Sequence, residues 1–194
     1  MEVSTAIRQR RSIRRFQQHS VETYQLMELI NLARFHTSVA NRQPIRYAVI
    51  AGEKRDVVFS ELRWATYLPD FKILSEQQPE AYILIMADQE AGKYGMFEAG
   101  AAATNLMLAA EEMGLSTCCL GVPNQKKLSR ALELPQKQEI IVVIAIGYAA
   151  CHSRTVPYEG DVRYFVDENG DFYVPKIDMK DLVLYIDLPK ESKS

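Results

Sequence analysis

Two uninterrupted apolar runs constrain this chain most: "AYILIMA" at 81–87 and "EIIVVIAIGY" at 139–148. A strand with one wet face alternates apolar and polar side chains, and these runs do not alternate. Each therefore predicts a central strand covered on both faces. Neither run approaches the roughly 20 residues that cross a bilayer, nor does the longest apolar stretch, Ile140 to Cys151.

Helices are available to cover such strands. Ser4 can start a first helix that runs into an arginine-rich stretch. Ser20 can cap a second, with Leu26, Leu29, Ile30 and Ala33 as its apolar stripe. "RYAVIAG" (46–52) predicts a strand and "KRDVVFSELRW" (54–64) a helix. A helix rich in small residues precedes Gly114, a C-cap candidate, and "STCCLGV" (116–122) follows as an extended segment. Asn124 can cap a short helix through Leu132. Helices and strands alternating around buried strands make a layered α/β or α+β sandwich. Nothing divides the chain into parts, so residues 1–194 are expected to form one domain. Residues 150–194 are more polar, with "DENGD" (167–171) as a turn, and predict a less regular C-terminal arm.

The charge is concentrated at one end. "RQRRSIRRF" (8–16) holds five arginines, while the whole chain has 23 basic and 25 acidic groups. The first sixteen residues carry one acid, so the rest is net −6. A sequence pI near 6.0 excludes a dedicated nucleic-acid binder, for which a domain pI above about 9 is usual. The three cysteines, Cys118, Cys119 and Cys151, have no metal-type spacing and fit a reduced, cytoplasmic compartment. No secretory leader pattern begins the chain.

Arg10, Ser12 and Arg14 are spaced by two, so an extended segment would aim them to one side, with Ile13 and Phe16 as anchors. Two guanidinium forks and a hydroxyl on one face suit a phosphate. The alternative is a solvated basic face at a helix end. In "TSVANRQP" (37–44), Ser38, Asn41 and Gln43 crowd a connection in which Pro44 predicts an extended Gln43. Their amides match the imide edge of a heterocycle, or simply an Asx-type turn. The alanine-rich segment from Gly95 predicts either a tightly packed core helix or a helix at a dimer interface. Beyond it, Leu120 and Gly121 can offer backbone N–H groups to a ligand.

In this order, "RRSIR", "S-x-x-N-x-Q-P", "NLxLAA" and "GLS…LGV" resemble the nitroreductase family of FMN-dependent oxidoreductases over residues 6–148. The resemblance implies an α+β fold, a mixed sheet flanked by helices, in an intertwined homodimer with two FMN molecules at the interface. It implies ping-pong hydride transfer from NAD(P)H through FMN to a nitroaromatic, quinone or similar small acceptor. Arg10, Arg11, Ser12 and Arg14 then match the stretch that serves the phosphate and pyrimidine edge. Thr37, Ser38 and Asn41 match the loop given by the partner subunit, and Leu120 and Gly121 the segment beside the flavin. No catalytic acid, base, nucleophile or metal is required, because the cofactor carries the redox step. His19, His36 and His152 are scattered, and no GxGxxG or P-loop occurs.

Three departures stand out. Thr37 replaces a proline found in many members. Leu120 stands where some carry glutamate. Of a C-terminal basic pair for the phosphate, only Lys176 is present, next to Ile177, with Arg154 and Arg163 as other candidates. Tyr67, Phe71, Tyr94 and Phe97 can line a substrate channel or belong to the core. Two other readings share the motifs: a flavin-binding protein for storage or sensing, and a member with different flavin chemistry.

Overall fold

The computed structural model describes residues 1–187. The last seven residues of the expected C-terminal arm, 188–194, lie outside the described residues.

A four-stranded antiparallel sheet is central. It has the order β1 (Ile45–Ile50), β2 (Ala81–Asp88), β4 (Gln138–Gly147), β3 (Ser116–Leu120). The two apolar runs are its two inner strands, paired from Ala81 opposite Ile146 to Asp88 opposite Gln138, with an irregularity between Ile85 and Met86. Successive side chains of a strand point to opposite faces. Ala81, Ile83, Ile85, Ile144 and Ile146 accordingly pack with α2 (Thr23–Ala33) and α4 (Gly92–Glu112). Tyr82, Leu84, Met86, Val143 and Ala145 pack on the other face with α3 (Arg55–Ser60), α5 (Gln125–Ala131), Ile13 and Phe16. Two separate cores explain why the runs do not alternate.

The helix ends obey local rules. Beyond α4, Gly114 takes φ +73; its N–H donates to the Glu111 carbonyl, and that of Leu115 to the Ala110 carbonyl. This is a Schellman stop, which the left-handed freedom of glycine permits. Asn124 caps α5, its side-chain oxygen accepting from Lys127 N–H at 3.0 Å.

Two expected helices differ. Ser20 is not the cap of α2; Glu22 takes that place, its N–H donating to Gln25 Oε1 at 3.0 Å while its carbonyl accepts from Gln25 N–H. The expected 54–64 helix stops at Ser60. The chain then bends through Ala65, at φ +45, so that Leu62 and Ala65 are buried. The C-terminal region contains a second sheet, with β5 (Ser153–Pro157) parallel to β7 (Phe172–Lys176) and β6 (Phe165–Val166) antiparallel to it. "DENGD" forms the β6–β7 turn, where Gly170 takes φ +81. A final short helix, α6 (Met179–Leu182), follows. Among the described residues, no helix is long and apolar enough to cross a membrane.

Candidate anion and ring-binding site

The arginine stretch begins where α1 (Val3–Gln9) ends. Arg10 N–H still donates to Ala6 carbonyl, but Arg10 itself has left helical geometry at ψ 131. The chain then runs extended along the edge of the central sheet. Ser12 bridges Thr117 of β3, Ile13 N–H donates to the Thr117 carbonyl at 2.9 Å, and Phe16 bridges Ala149. Ile13 and Phe16 are buried, as expected of the two anchors. Phe16 sits so close to Gly147 that a Cβ there would lie 2.9 Å from its ring. The extended reading of the stretch holds, and Arg14 and Arg15, between the anchors, are half-buried.

Among the described residues, none of Arg8, Arg10, Arg11, Arg14 and Arg15 makes an ion pair. Arg11 turns back on α1 and donates to the carbonyls of Arg8 and Arg10, which suits a cation at a helix C-terminus. Burial, then the neighbouring Arg10 charge, pulls its pKa below the usual arginine value. The Arg14 guanidinium lies 4.4 Å from the Tyr164 ring centroid and 4.9 Å from that of Phe172. It also donates to the Ser12 carbonyl at 3.3 Å. Burial raises the Glu111 pKa on α4, against smaller opposing pulls from the Arg10 and Arg11 charges. Leu120, the last residue of β3, is buried against the sheet. Gly121 follows it into open space: a Cβ there would meet nothing within 4 Å. Arg10, Ser12, Arg14 and β3 with its Leu120–Gly121 end are thus one neighbourhood. It combines guanidinium groups that make no ion pair among the described residues with an unobstructed strand end at Gly121.

Thr37, Ser38 and Asn41 form a second group, tied to α4 and the start of β1. Ser38 Oγ accepts from Gln43 N–H at 2.8 Å, and Asn41 Oδ1 from the Gln43 side chain at 2.9 Å. Thr37 is exposed. Gln43 is not the extended residue that Pro44 predicts: its φ is +48, beside +51 at Ala40 and +52 at Asn41. The Ser38 and Asn41 hydrogen bonds impose that turn against the usual steric preference. Val39 N–H donates to Glu98 of α4 at 2.9 Å. No hydrogen bond joins this loop to the arginine stretch among the described residues.

Lys176 is exposed at the end of β7, where its carbonyl accepts from Tyr158 N–H. Tyr67 and Phe71 stand beside Tyr164 and Phe172, at centroid separations of 5.1 and 5.4 Å. Tyr94 and Phe97 are exposed on α4 and make no aromatic contact with that cluster. Sequence reasoning missed Tyr164, Phe172 and Glu98. The only signal for Phe172 was its place just after the "DENGD" turn. For Glu98 it was an acid within the alanine-rich part of a helix.

The nitroreductase family model matches residues 7–148, which span the arginine stretch, the Ser38 loop, α4 and Gly121. A protein of Archaeoglobus fulgidus with the provisional name NADH dehydrogenase/NAD(P)H nitroreductase is 26% identical over 167 residues, 81% of this chain and 90% of its own. Among solved structures, a provisionally named nitroreductase of Desulfovibrio desulfuricans, crystallised with FMN, superposes with a TM-score of 0.73. It is 26% identical, with 97% of this chain and 99% of that one covered. An FMN-dependent nitroreductase of Clostridium difficile has a TM-score of 0.66 at 23% identity, covering 80% and 91%, a likeness of fold. The motif order, the two-core sheet and a family match over most of the length agree, and the chain belongs to the nitroreductase family.

Proposed function

We propose that this protein is an FMN-dependent NAD(P)H oxidoreductase acting as a homodimer. The observation that carries the reading is the set of arginines beside β3 with no carboxylate in ion-pair range among the described residues. Desolvating such a cluster without a counter-charge is costly, and a phosphate supplies the charge. The residues fit a flavin mononucleotide: cationic donors for its tail, amide and hydroxyl groups for its ring edge, and an open strand end at Gly121 for its flat body.

FMN, when bound, supplies two-electron transfer from NAD(P)H to a nitroaromatic, quinone or related acceptor, the two substrates using the site in turn. The chain's own work is binding and electrostatics. Arg10 and Arg14 hold the phosphate and the electron-rich pyrimidine end, with Ser12 as a further donor and Arg11 fixing the end of α1. A cation there favours negative charge on the ring. Leu120 and Gly121 flank the ring, Gly121 without a side chain to obstruct it. Thr37, Ser38 and Asn41 reach the site from the second subunit, and Lys176 adds charge from the C-terminal sheet.

Two surfaces support the dimer. The outer face of α4 exposes Met96 and Phe97 beside Gly100, where a Cβ would meet nothing. After α6, Leu184, Tyr185 and Ile186 stand free of the chain that carries them. Apolar surface of this kind is rarely left uncovered. All three cysteines are free thiols, which supports a reducing, cytoplasmic setting.

The visible spectrum of the purified protein tests the reading. Flavin bands that bleach on adding NADH or NADPH and return with a quinone or nitroaromatic are expected. Protein that stays colourless with excess FMN overturns it, and flavin bands that neither nicotinamide bleaches would favour storage. Light scattering tests the dimer, and a monomer that retains FMN counts against the shared site.

A further inference from the structure

We propose that Glu98 is a positioning residue: its carboxylate clamps the 38–43 loop in the left-handed shape in which Ser38 and Asn41 are presented. The inference rests on the FMN reading only for what the loop binds.

Glu98 is the one charged side chain buried among the described residues, at 1% exposure. It lies mid-helix in α4, amid Gly95, Ala99, Ala102 and Ala103, and makes no ion pair among the described residues. Oε1 accepts from Val39 N–H at 2.9 Å, while Oε2 is buried without a partner among the described residues. An unpaired buried carboxylate costs stability, and a leucine of similar volume would avoid that cost. The placement makes sense through what it holds.

The loop needs holding. Three of its residues, Ala40, Asn41 and Gln43, have positive φ without being glycine, and Gln43 does so directly before Pro44. Such residues persist only where the surroundings over-determine them, and they gather at functional sites. Two ties act on the loop from its start. Ser38 Oγ closes it onto Gln43 N–H, and Glu98 fixes the next residue, Val39, to a helix of the core. Arg46 of β1 holds the far end of the loop, donating to the Gln43 carbonyl at 2.8 Å, so without the second tie the Ser38–Asn41 end loses its hydrogen bond to α4. Ser38 is then no longer held where the sheet and α4 put it.

The test compares full-length wild type with Glu98→Leu and Glu98→Gln, with and without added FMN. Gln keeps one carbonyl acceptor for Val39 N–H; Leu keeps none. Without FMN, trypsin should cut after the exposed Arg42 at least tenfold faster in Glu98→Leu, while its Tm equals or exceeds that of wild type. FMN should bind Glu98→Leu at least tenfold more weakly by fluorescence titration. Glu98→Gln should restore both to within about threefold. Should the leucine variant fail to fold, Glu98→Ala is read in the same way. Wild-type cleavage and FMN affinity in Glu98→Leu overturn the clamp, as does a glutamine variant no better than leucine. A fall in Tm matching the loss of affinity also overturns it, as a purely structural role. A wild type that binds no FMN would bring down the functional reading, while the cleavage rates still judge the clamp.

Discussion

The guanidinium carbon of Arg14 lies 4.4 Å from the centroid of the Tyr164 ring, joining the N-terminal arginine stretch to the C-terminal region. An arginine stacked in this way keeps its N–H edge free for an anion, and stacking limits the rotamers it must give up on binding. Arg14→Ala should weaken FMN binding by the loss of a charge-assisted contact, about 1.5–3 kcal/mol or roughly ten- to hundredfold in Kd. Tyr164→Ala should have a smaller effect, about 0.5–2 kcal/mol, because the charge remains and only its orientation is lost. Fluorescence titration with FMN measures both. Equal effects would mean that the ring, not the cation, is the ligand.

Two glycines should separate stability from binding. Gly170 combines φ +81 with the Arg15 guanidinium packed directly against its Cα, where a Cβ would collide with Nη1. Gly170→Ala should cost about 1–2 kcal/mol for the left-handed backbone alone, with a further loss as Arg15 moves. Gly121 has open space where a side chain would go and an ordinary φ. Gly121→Val should therefore leave the Tm without FMN unchanged while weakening FMN at least tenfold. Thermal unfolding and flavin titration of both variants check the pair, and a Gly121→Val protein with normal FMN affinity would remove the strand end from the site.

What could be read in advance follows from how local each cause is. The two inner strands, the Gly114 stop and the Asn124 cap depend on a few adjacent residues, and all three are present. The extended arginine stretch was legible because Ile13 sits between polar residues at 10, 12 and 14; Phe16, in phase with those, is buried as well. Glu22 displaced Ser20 as the α2 cap because Gln25, three residues on, accepts from its N–H, a choice between two adequate caps. The Arg14–Tyr164–Phe172 stack joins residues some 150 positions apart and had no local signature. Gln43 ran against its own sequence rule because Ser38 and Asn41 hydrogen bonds outweigh the steric push of Pro44.

The Tyr47 hydroxyl is buried without a hydrogen-bond partner, and burial pushes its pKa from the ordinary 10 up to about 12. Burial raises that of Tyr82 in the same direction, against a smaller pull from Arg55. The folded protein thus holds both phenols neutral at a pH where the unfolded chain releases their protons. The contribution of Tyr47 is complete below pH 10 and is lost as pH rises through about 12, and that of Tyr82 is lost at higher pH. Tyr47→Phe should flatten the fall of Tm between pH 10 and 12. It should also raise stability at pH 7 by about 1 kcal/mol, because an unsatisfied buried hydroxyl is removed. Melting curves from pH 7 to 12 decide it; an unchanged alkaline slope would show that Tyr47 ionises freely in the folded state.

Cys118 and Cys119 are neighbours on β3 with opposite fates, because a strand sends successive side chains to opposite faces. Cys118 packs with Ile13, Leu120 and Val143 in the second core, and Cys119 is exposed. Burial pushes the Cys118 thiol up to about 12, with the Arg14 charge pulling weakly the other way. Since the thiolate is the reactive form, Cys118 should be inert at pH 8 on grounds of both access and ionisation. A thiol reagent at that pH should modify Cys119 first and Cys151, which is half-buried, more slowly. Cys118 should react only as fast as the protein unfolds, and mass spectrometry of a labelling time course in native buffer and in denaturant measures the order. Labelling of Cys118 alongside Cys119 in native buffer would mean that the edge strand opens there. The arginine stretch, which is hydrogen-bonded to that strand through Thr117, could not then be a fixed cradle.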